Sequence, residues 1–238
     1  MATYNGAKYI REQIDSIITQ LGEDDELVIS DDGSTDDTLT IIESYCDPRI
    51  KLLHHKHPSW NSKNHKTNVY VTSNFENALS HSTGDVIFLS DQDDIWEENK
   101  VEKMVSAIKQ TGGIVMSSTK VIKSDGTFKK IAKPQKYSFL QGVRVAKYLG
   151  SSMAISREFL NHALPFPKGI VSHDAWLGCL ATYIGKLQVI DEPLLLYRRH
   201  GENVTSKNIR TSMFSKVKYR IVILVNVLLR ARTFNKEK

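Results

Sequence analysis

Two acidic segments stand directly after short apolar runs of the sequence. Asp-Asp-Gly-Ser occupies residues 31–34 after the apolar run 27–30, and Asp-Gln-Asp-Asp occupies residues 91–94 after the apolar run 86–90. Such runs are typical of buried strands, and open α/β sheets bind ligands beyond the carboxyl ends of their strands. Three carboxylates in four residues repel one another unless a cation joins them, so the pattern predicts Mg²⁺ or Mn²⁺ shared with substrate phosphates. The alternative is that Asp93 or Asp94 caps the following helix.

The elements around these segments decide where the carboxylates lie. Apolar residues at helical spacing predict helices, and short apolar runs bounded by turn residues predict strands. Helices are predicted over residues 9–21, 35–46, 74–80, 100–109 and 174–183, and strands over 27–30, 50–53, 86–90, 113–116, 120–122 and, as extended chain, 187–197. This alternation indicates an α/β fold, with a mostly parallel open sheet flanked by helices.

Composition and charge narrow the class of protein. The chain has 238 residues, 40% of them hydrophobic and 25% charged, which is ordinary globular usage. The net charge is +5, but residues 210–238 carry +7 and the preceding part −2, so we expect no nucleic-acid partner. No apolar run reaches transmembrane length, and the first residues do not resemble a secretory signal. Cys46 and Cys179 match no metal spacing and are interpreted as reduced core thiols of a cytoplasmic protein.

Motif-like segments recur in order along residues 2–205. They occupy residues 2–6 (Ala-Thr-Tyr-Asn-Gly), 28–36, 90–96, 150–154, 164–167, 173–177 and 197–203. As a collinear set they closely resemble the family 2 glycosyltransferases, whose GT-A fold is Rossmann-like. Within that family they resemble the rhamnosyltransferase-like branch, which builds bacterial surface polysaccharide.

The resemblance implies roles for residues on the donor side. Tyr4 resembles the aromatic residue that stacks on the pyrimidine of the donor nucleotide, the alternative being a core tyrosine. Asp32 resembles the carboxylate that accepts the N3–H of uracil or thymine, while Asp31 shapes the turn. Asp91 and Asp93 correspond to the Asp-x-Asp element, with Asp93 as the direct ligand of Mn²⁺ or Mg²⁺ and Asp91 near the ribose and the metal.

On the acceptor side, Asp174 resembles the general base that takes a proton from the attacking hydroxyl, with an N-cap as the alternative. His200 and Arg198 resemble the closing segment that reaches the diphosphate, although an arginine here could instead pair with surface acids. Ser151 lies in a run of small residues that resembles the acceptor-side wall. The implied activity is inverting transfer of a sugar, rhamnose being one candidate, from a UDP- or dTDP-sugar to a glycan or lipid-linked acceptor.

Two other functions stay open. The first is a Mg²⁺-dependent phosphohydrolase with Asp91 as its nucleophile, although that chemistry usually sets its Asp-x-Asp after the first strand. The second is a non-catalytic homologue that binds nucleotide sugars. A zinc site at His54, His55, His57 and His65 is disfavoured, because these residues lie in a polar stretch without an accompanying acid or thiol.

The chain departs from the family pattern at two places, and its tail lies outside the resemblance. The resemblance implies a catalytic domain over 1–205, with a nucleotide half of about 1–95 and an acceptor half of about 96–205, but its first strand is almost entirely missing. No glycine occurs between Gly33 and Gly84, where the family usually has one. The basic tail, 206–238, is predicted to be helical, with an apolar centre that either lies on the inner face of the cell membrane through 216–238 or packs on protein.

Overall fold

The computed structural model describes residues 1–56, 66–145, 147–201, 203 and 212–234. The strands are β1 Ala2–Thr3, β2 Leu27–Asp31, β3 Ile50–His54, β4 Val86–Phe88, β5 Ile95–Trp96, β6 Ile114–Lys123, β7 Phe128–Ala132, β8 Met153–Ser156 and β9 Leu187–Arg199. The helices are α1 Ile10–Ile18, α2 Thr38–Glu43, α3 Lys66–His81, α4 Lys100–Thr111, α5 Phe139–Val145, α6 Arg157–Ala163, α7 His173–Tyr183 and α8 Met213–Phe234, and a 3₁₀ helix spans Gly150–Ser152.

The first sheet has three parallel strands in the order β1-β2-β3. β1 contributes only two residues, which pair with Ser30 and Asp31 of β2. β2 pairs along its whole length with β3, from Leu27 opposite Ile50 to Asp31 opposite His54. The carboxyl end of β2 therefore delivers the first acidic segment to the ligand-binding edge, as the sequence predicts.

The second sheet is mixed, in the order β4-β8-β6-β9-β5, with β7 beside β6. Of its pairs only β6 with β9 is parallel, whereas β4–β8, β6–β8, β5–β9 and β6–β7 are antiparallel. The α/β class is confirmed, but the expectation of a mostly parallel sheet holds for the first sheet alone. Part of the reason is local, because the turn at Gly126, whose φ is +82°, folds β7 back onto β6 as a hairpin.

A cavity of about 310 Å³ lies where the two sheets approach each other beyond the short β1. The backbone N–H of Ala2 donates to Ser90 O at 3.3 Å, and the terminal ammonium of Met1 donates to Val28 O at 2.7 Å. Much of the cavity wall is apolar, including Leu79 and Ile87. Its position continues the line of β1 between β2 and β4.

Buried aromatic residues anchor the core, as the sequence predicts for Trp96 and Trp176. Trp176 is completely buried on α7, and its indole N–H donates to Ala163 O at 3.2 Å. The prediction for the cysteines is only half right, because Cys179 is buried whereas Cys46 is exposed at a turn with φ +49°.

The last described helix, α8, packs one face on the domain and exposes the other. Its Ile223, Val227 and Ala231 are buried, and the helix contacts α5, α6 and α7. The guanidinium of Arg230 donates to His162 O and Leu164 O, each at 2.8 Å. Among the described residues, no helix is both long and apolar enough to cross a membrane.

Candidate active site

The turn after β2 is built by Asp31. This carboxylate is buried and accepts hydrogen bonds from the N–H groups of Gly33 and Ser34 at 2.9 and 2.8 Å, and from the Ser34 hydroxyl. Gly33 has φ +82°, a conformation that a glycine adopts without strain. Asp31 therefore shapes the turn, as predicted, and leaves the next residue, Asp32, to point elsewhere.

Asp32 and Tyr4 stand at the ends of neighbouring strands. Tyr4 follows β1 and is 54% exposed, so the alternative of a core tyrosine is wrong. Asp32 Oδ1 lies 2.5 Å from Nδ1 of His55, whose side chain is almost fully buried just beyond β3. The sequence argument that the histidines of this stretch have no acid beside them is therefore wrong for His55. His57 and His65 lie outside the described residues.

The second acidic segment is electrostatically crowded. Burial, together with the charges of Asp93 and Asp174, raises the pKa of Asp91 to about 7. Burial and the charges of Asp91 and Asp93 hold the pKa of Asp94 well above its usual range. These shifts indicate that the carboxylates of the Asp-x-Asp element and of Asp174 act on one another within one site.

Neither Asp93 nor Asp94 caps the following helix, so that alternative is wrong. The N-cap position of α4 belongs to Asn99, which has φ +62°. Asp94 is buried, and its Oδ1 accepts a hydrogen bond from the backbone N–H of Arg198 at 3.0 Å. Asp94 therefore ties the acidic loop to the end of β9.

Asp93 meets two residues that follow β9. Its Oδ2 lies 2.8 Å from Nε2 of His200 and accepts a hydrogen bond from Nδ2 of Asn203 at 3.0 Å. The backbone N–H of His200 in turn donates to Oδ1 of Asn203 at 2.7 Å. Sequence reasoning missed Asn203 as a site residue, although it ends the motif-like segment 197–203.

Arg198 is engaged by protein groups. The side chain is buried, its Nε donates to the backbone oxygen of Asp93 at 3.1 Å, and a terminal nitrogen donates to Glu12 at 2.5 Å. Its guanidinium also lies 5.1 Å from the ring centroid of Tyr9. These contacts agree with the alternative that this arginine pairs with a surface acid, and Arg198 also braces the backbone of the acidic loop. The diphosphate contact stays a prediction.

Asp174 lies in the first turn of α7 but is not its N-cap. That position belongs to Ser172, whose hydroxyl accepts from the N–H of Ala175 and donates to Oδ1 of Asp174. Oδ1 of Asp174 also accepts from the N–H of Ala175 at 2.7 Å. The carboxylate is half-buried, and its direction is fixed through one oxygen.

The 3₁₀ helix Gly150–Ser152 lies against α7. A Cβ added to Gly150 would lie 2.9 Å from Nε2 of His173 and 3.5 Å from Cβ of Asp174, so glycine permits this close approach. Ser151 is buried, and its carbonyl accepts a hydrogen bond from Nζ of Lys100 at 2.9 Å.

Lys100 was also missed as a residue that supports the site. It is completely buried, and burial lowers its pKa to about 7 against the opposing charges of Asp94 and Asp91. Its ammonium lies 4.7 Å from the ring centroid of Trp96. One sequence signal could have found it. Lys100 stands four residues before Met104 and therefore on the same, buried face of the predicted helix.

The donor set fits a divalent cation that is completed by substrate. Within the described ranges, no group of three or more acidic, histidine or cysteine side chains is arranged to hold a metal ion. Asp93 Oδ2 and His200 Nε2 do converge, and Asp91 adds negative charge beside them. Mg²⁺ and Mn²⁺ sites commonly combine one or two protein ligands with phosphate oxygens, so this sparse set is appropriate for a cation shared with a diphosphate.

Comparison with known proteins identifies the family. Residues 1–161 match the family described as glycosyl transferase family 2. The chain belongs to glycosyl transferase family 2. This family 2 chain is 30% identical over 240 residues to the dTDP-rhamnosyl transferase RfbG of Shigella flexneri, covering 94% of the chain and 78% of the relative. It is 28% identical over 226 residues to an uncharacterized glycosyltransferase of Nostoc, covering 85% of the chain and 64% of the relative.

The solved structures show the fold of this family 2 chain. Glucosyl-3-phosphoglycerate synthase from Mycobacterium tuberculosis, in complex with Mn²⁺, UDP and glucosyl-3-phosphoglycerate, aligns with a TM-score of 0.56 and 18% identity. The alignment covers 97% of the chain and 77% of that protein. The expected GT-A fold is thereby confirmed. The chain spans less than two thirds of the Nostoc relative, so its activity and substrates are matters of proposal.

Proposed function

We propose that this chain is a metal-dependent, inverting glycosyltransferase that moves a sugar from a UDP- or dTDP-sugar to a hydroxyl group. The observation that carries the proposal is the closeness of Asp174 to the acidic loop. The 3₁₀ helix places Gly150 against α7, where an added Cβ would lie 3.5 Å from Cβ of Asp174, and the charge of Asp174 helps raise the pKa of Asp91 in the acidic loop after β4. A candidate proton acceptor and a candidate diphosphate site are therefore near enough for their charges to interact, as transfer of a sugar requires.

The donor nucleotide binds across the ends of β1 and β2. The exposed ring of Tyr4 stacks on the pyrimidine, and Asp32 accepts the N3–H of uracil or thymine. His55, 2.5 Å from Asp32, fixes the direction of that carboxylate. Cytosine has no N3–H in its neutral form, so a CDP-sugar sets the N3 lone pair, an acceptor, against the carboxylate of Asp32.

The diphosphate lies at the acidic loop. Asp93 and His200 would hold the cation, and Asp91 would serve the ribose and the metal. When bound, the cation supplies Lewis-acid stabilisation of the charge that develops on the leaving diphosphate. Asn203 and Arg198 keep Asp93 in place by hydrogen bonds to its carboxylate and its backbone oxygen.

Asp174 takes the proton from the acceptor hydroxyl as the hydroxyl oxygen attacks the anomeric carbon. Attack opposite the leaving diphosphate inverts the configuration at that carbon. Oδ1 of Asp174 is occupied by the N–H of Ala175, so the carboxylate is oriented before substrate arrives. Gly150 and Ser151 form the wall beside it, where the missing side chain of Gly150 lets the 3₁₀ helix approach His173 and Asp174 closely.

The transferred sugar is proposed to be rhamnose, and the acceptor a glycan or a lipid-linked glycan of bacterial surface polysaccharide. The support is the 30% identity with a dTDP-rhamnosyl transferase and the resemblance of the motif segments to the same branch. The proposals for the sugar and the acceptor assume that the nucleotide site is correct. They can each fail without contradicting the proposed nucleotide site.

Contact with the inner face of the cell membrane is proposed for α8. Its outward face carries Phe214, Ile221 and Val225, all exposed, with Lys218 and Arg232 on the same side. The helix contains no acidic residue. An exposed apolar stripe with cationic neighbours suits an anionic lipid surface.

The proposed base recognition is tested by comparing the affinities of the chain for different nucleoside diphosphates. We expect titration calorimetry with Mn²⁺ to show binding of UDP or dTDP, and CDP to bind at least about tenfold more weakly because the Asp32 carboxylate then faces the N3 acceptor of cytosine. Asp32→Asn should reduce this discrimination, since an amide can donate to N3 of cytosine. Equal affinity for UDP, dTDP and CDP would contradict the base assignment.

Incubation with UDP- and dTDP-sugars and an acceptor glycan then tests catalysis. Transfer supports the proposal. Release of phosphate from simple phosphoesters would favour the phosphohydrolase. Binding without transfer or hydrolysis would indicate a non-catalytic homologue.

A further inference from the structure

The side chain of Gln92, the middle residue of the Asp-x-Asp element, turns away from the two carboxylates towards β1. Its Oε1 accepts hydrogen bonds from the backbone N–H of Tyr4 at 2.7 Å and from the hydroxyl of Thr3 at 2.6 Å. Its Nε2 donates to the backbone oxygen of Tyr4 at 3.0 Å. One carboxamide thus pairs with both polar groups of the Tyr4 backbone, as a neighbouring strand would.

The space for this carboxamide depends on Gly6. A Cβ added at Gly6 would lie 2.5 Å from Oε1 and 2.6 Å from Cδ of Gln92. The tip of a glutamine is flexible, so a methyl group at this position would displace the amide rather than the backbone. Gly6 and Gln92 therefore form one contact between the first loop and the acidic loop.

Tyr4 needs this support because the residue is 54% exposed and its side chain is therefore little packed. An exposed ring takes its direction mainly from its own backbone, and Gln92 holds that backbone. On the other side, Gln92 is bonded covalently to Asp91 and to Asp93, whose carboxylate is held by His200 and Asn203. The proposed base platform and the proposed metal ligand are thus joined through a single side chain.

We propose that Gln92 is a positioning residue that holds Tyr4 in place for the nucleotide base. The inference rests on the proposed function, because it assumes that Tyr4 stacks on a pyrimidine. Gln92 acts through the backbone of Tyr4 and takes no part in proton transfer. Its loss therefore weakens recognition of the base and leaves recognition of the metal-bound diphosphate intact.

The test uses Gln92→Met, which keeps the side-chain length and removes all three hydrogen bonds. We expect about a tenfold loss of affinity for UDP or dTDP in Mn²⁺, the scale of one base–aromatic stacking contact. Affinity for Mn²⁺–pyrophosphate, which has no base, should stay at the wild-type value. With the sugar donor, KM should rise while kcat at saturation stays close to that of the wild type.

Gln20→Met is the matched control. The carboxamide of Gln20 also bridges two elements through backbone groups, donating to Ser16 O and Glu97 O at 2.9 and 3.1 Å and accepting from Val101 N–H at 3.2 Å. Its replacement removes a comparable set of hydrogen bonds at the end of α1, away from Tyr4. It should leave the affinities for UDP and pyrophosphate unchanged.

Gly6→Ala is a second variant that displaces the same amide, and it keeps the test available if Gln92→Met folds poorly. It should reproduce the selective loss of nucleotide affinity. In a double-mutant cycle, Tyr4→Ala should cost less UDP affinity in the Gln92→Met background than in the wild type, because the ring is already misplaced.

Three results would overturn the inference. They are UDP affinity at the wild-type level in both variants, an equal loss of pyrophosphate affinity, and full additivity with Tyr4→Ala. The second would mean that Gln92 only holds the acidic loop. If the wild-type chain binds neither UDP nor dTDP in Mn²⁺, the proposed function itself fails, which distinguishes the two failures.

Discussion

Nε2 of His200 lies 2.8 Å from Oδ2 of Asp93, although 107 positions separate the two residues in the sequence. Both atoms are of types that bind divalent cations. The ring of His200 also packs against that of Tyr9, with the centroids 4.7 Å apart. The pair closes the acidic loop from the side of β9, and the first two predictions below concern this site.

Removing either member of this pair should remove the metal-dependent part of nucleotide binding. We expect Asp93→Asn and His200→Gln each to abolish most of the gain in UDP affinity on adding Mn²⁺, because amides are poorer ligands than carboxylate and imidazole. Calorimetry in Mn²⁺ and in chelator measures this gain. Asp24→Asn, an exposed acid before β2, is the control. A wild-type gain in His200→Gln would exclude His200 as a ligand.

Asp174→Asn should separate catalysis from binding. The variant keeps its shape, so UDP affinity should persist while transfer falls by about 10²–10⁴-fold, the usual contribution of a general base. Ser156→Ala is the control. The hydroxyl of Ser156 caps α6 by accepting from the N–H of Phe159, so this variant removes a helix cap without changing the acidic site. Near wild-type transfer by Asp174→Asn would move the search to His173.

The outward face of α8 can be tested without exposing the core. Deleting the helix would uncover residues against which Val227 packs, so we expect a clearer result from Ile221→Ser combined with Val225→Ser. This variant should lose sedimentation with vesicles containing anionic phospholipid while keeping UDP affinity. Leu140→Ser changes another exposed apolar residue, 71% exposed, and should sediment as the wild type does. A wild-type chain that ignores anionic vesicles at low salt contradicts the membrane proposal.

The cavity beside β1 should accept an extended apolar strand. Joining a segment of about five alternating aliphatic residues ahead of Met1 should raise the melting temperature, because each buried side chain contributes about 1.5–3 kcal/mol. A glycine-serine segment of equal length controls for the addition itself. Equal melting temperatures for the two extended proteins would show that the cavity does not take a strand.

Glu26 provides a pH-dependent contribution to stability. Burial disfavours its ionised form, but hydrogen bonds from Lys51, at 2.7 Å, and from Thr83 outweigh this and lower its pKa to about 2. Because the unfolded chain binds the proton more readily, the stabilisation is full above the ordinary pKa of 4.5 and is lost as pH falls through about 2. Glu26→Gln should cost about 1 kcal/mol at neutral pH.

Urea unfolding at several pH values checks this prediction. The difference between Glu26→Gln and the wild type should shrink as pH falls below about 4.5. The exposed Glu23→Gln is the control and should show no such change. A difference that is constant from neutral to acid pH would exclude an ionised Glu26 as its source.

Local sequence determined the elements and the chemical types that they carry. The helix predicted over residues 174–183 forms as α7, and the helix predicted over 100–109 forms as α4. The acidic segments stand after β2 and β4, as their apolar runs predicted. These features depend on neighbours within a few residues, which is the range over which helical and strand periodicity acts.

Tertiary structure alone decided the partners that side chains find far away in the sequence. It placed Arg198 on Asp93 and Glu12, gave Asp32 a histidine partner, and buried Lys100 under the 3₁₀ helix. It also decided the strand order of the mixed sheet. Each of these contacts joins residues far apart in sequence, so no local pattern encodes it. Such contacts form only when the whole core packs. A buried charge or polar group is then removed from water and is stabilised only by a partner that the packed fold places within hydrogen-bonding distance.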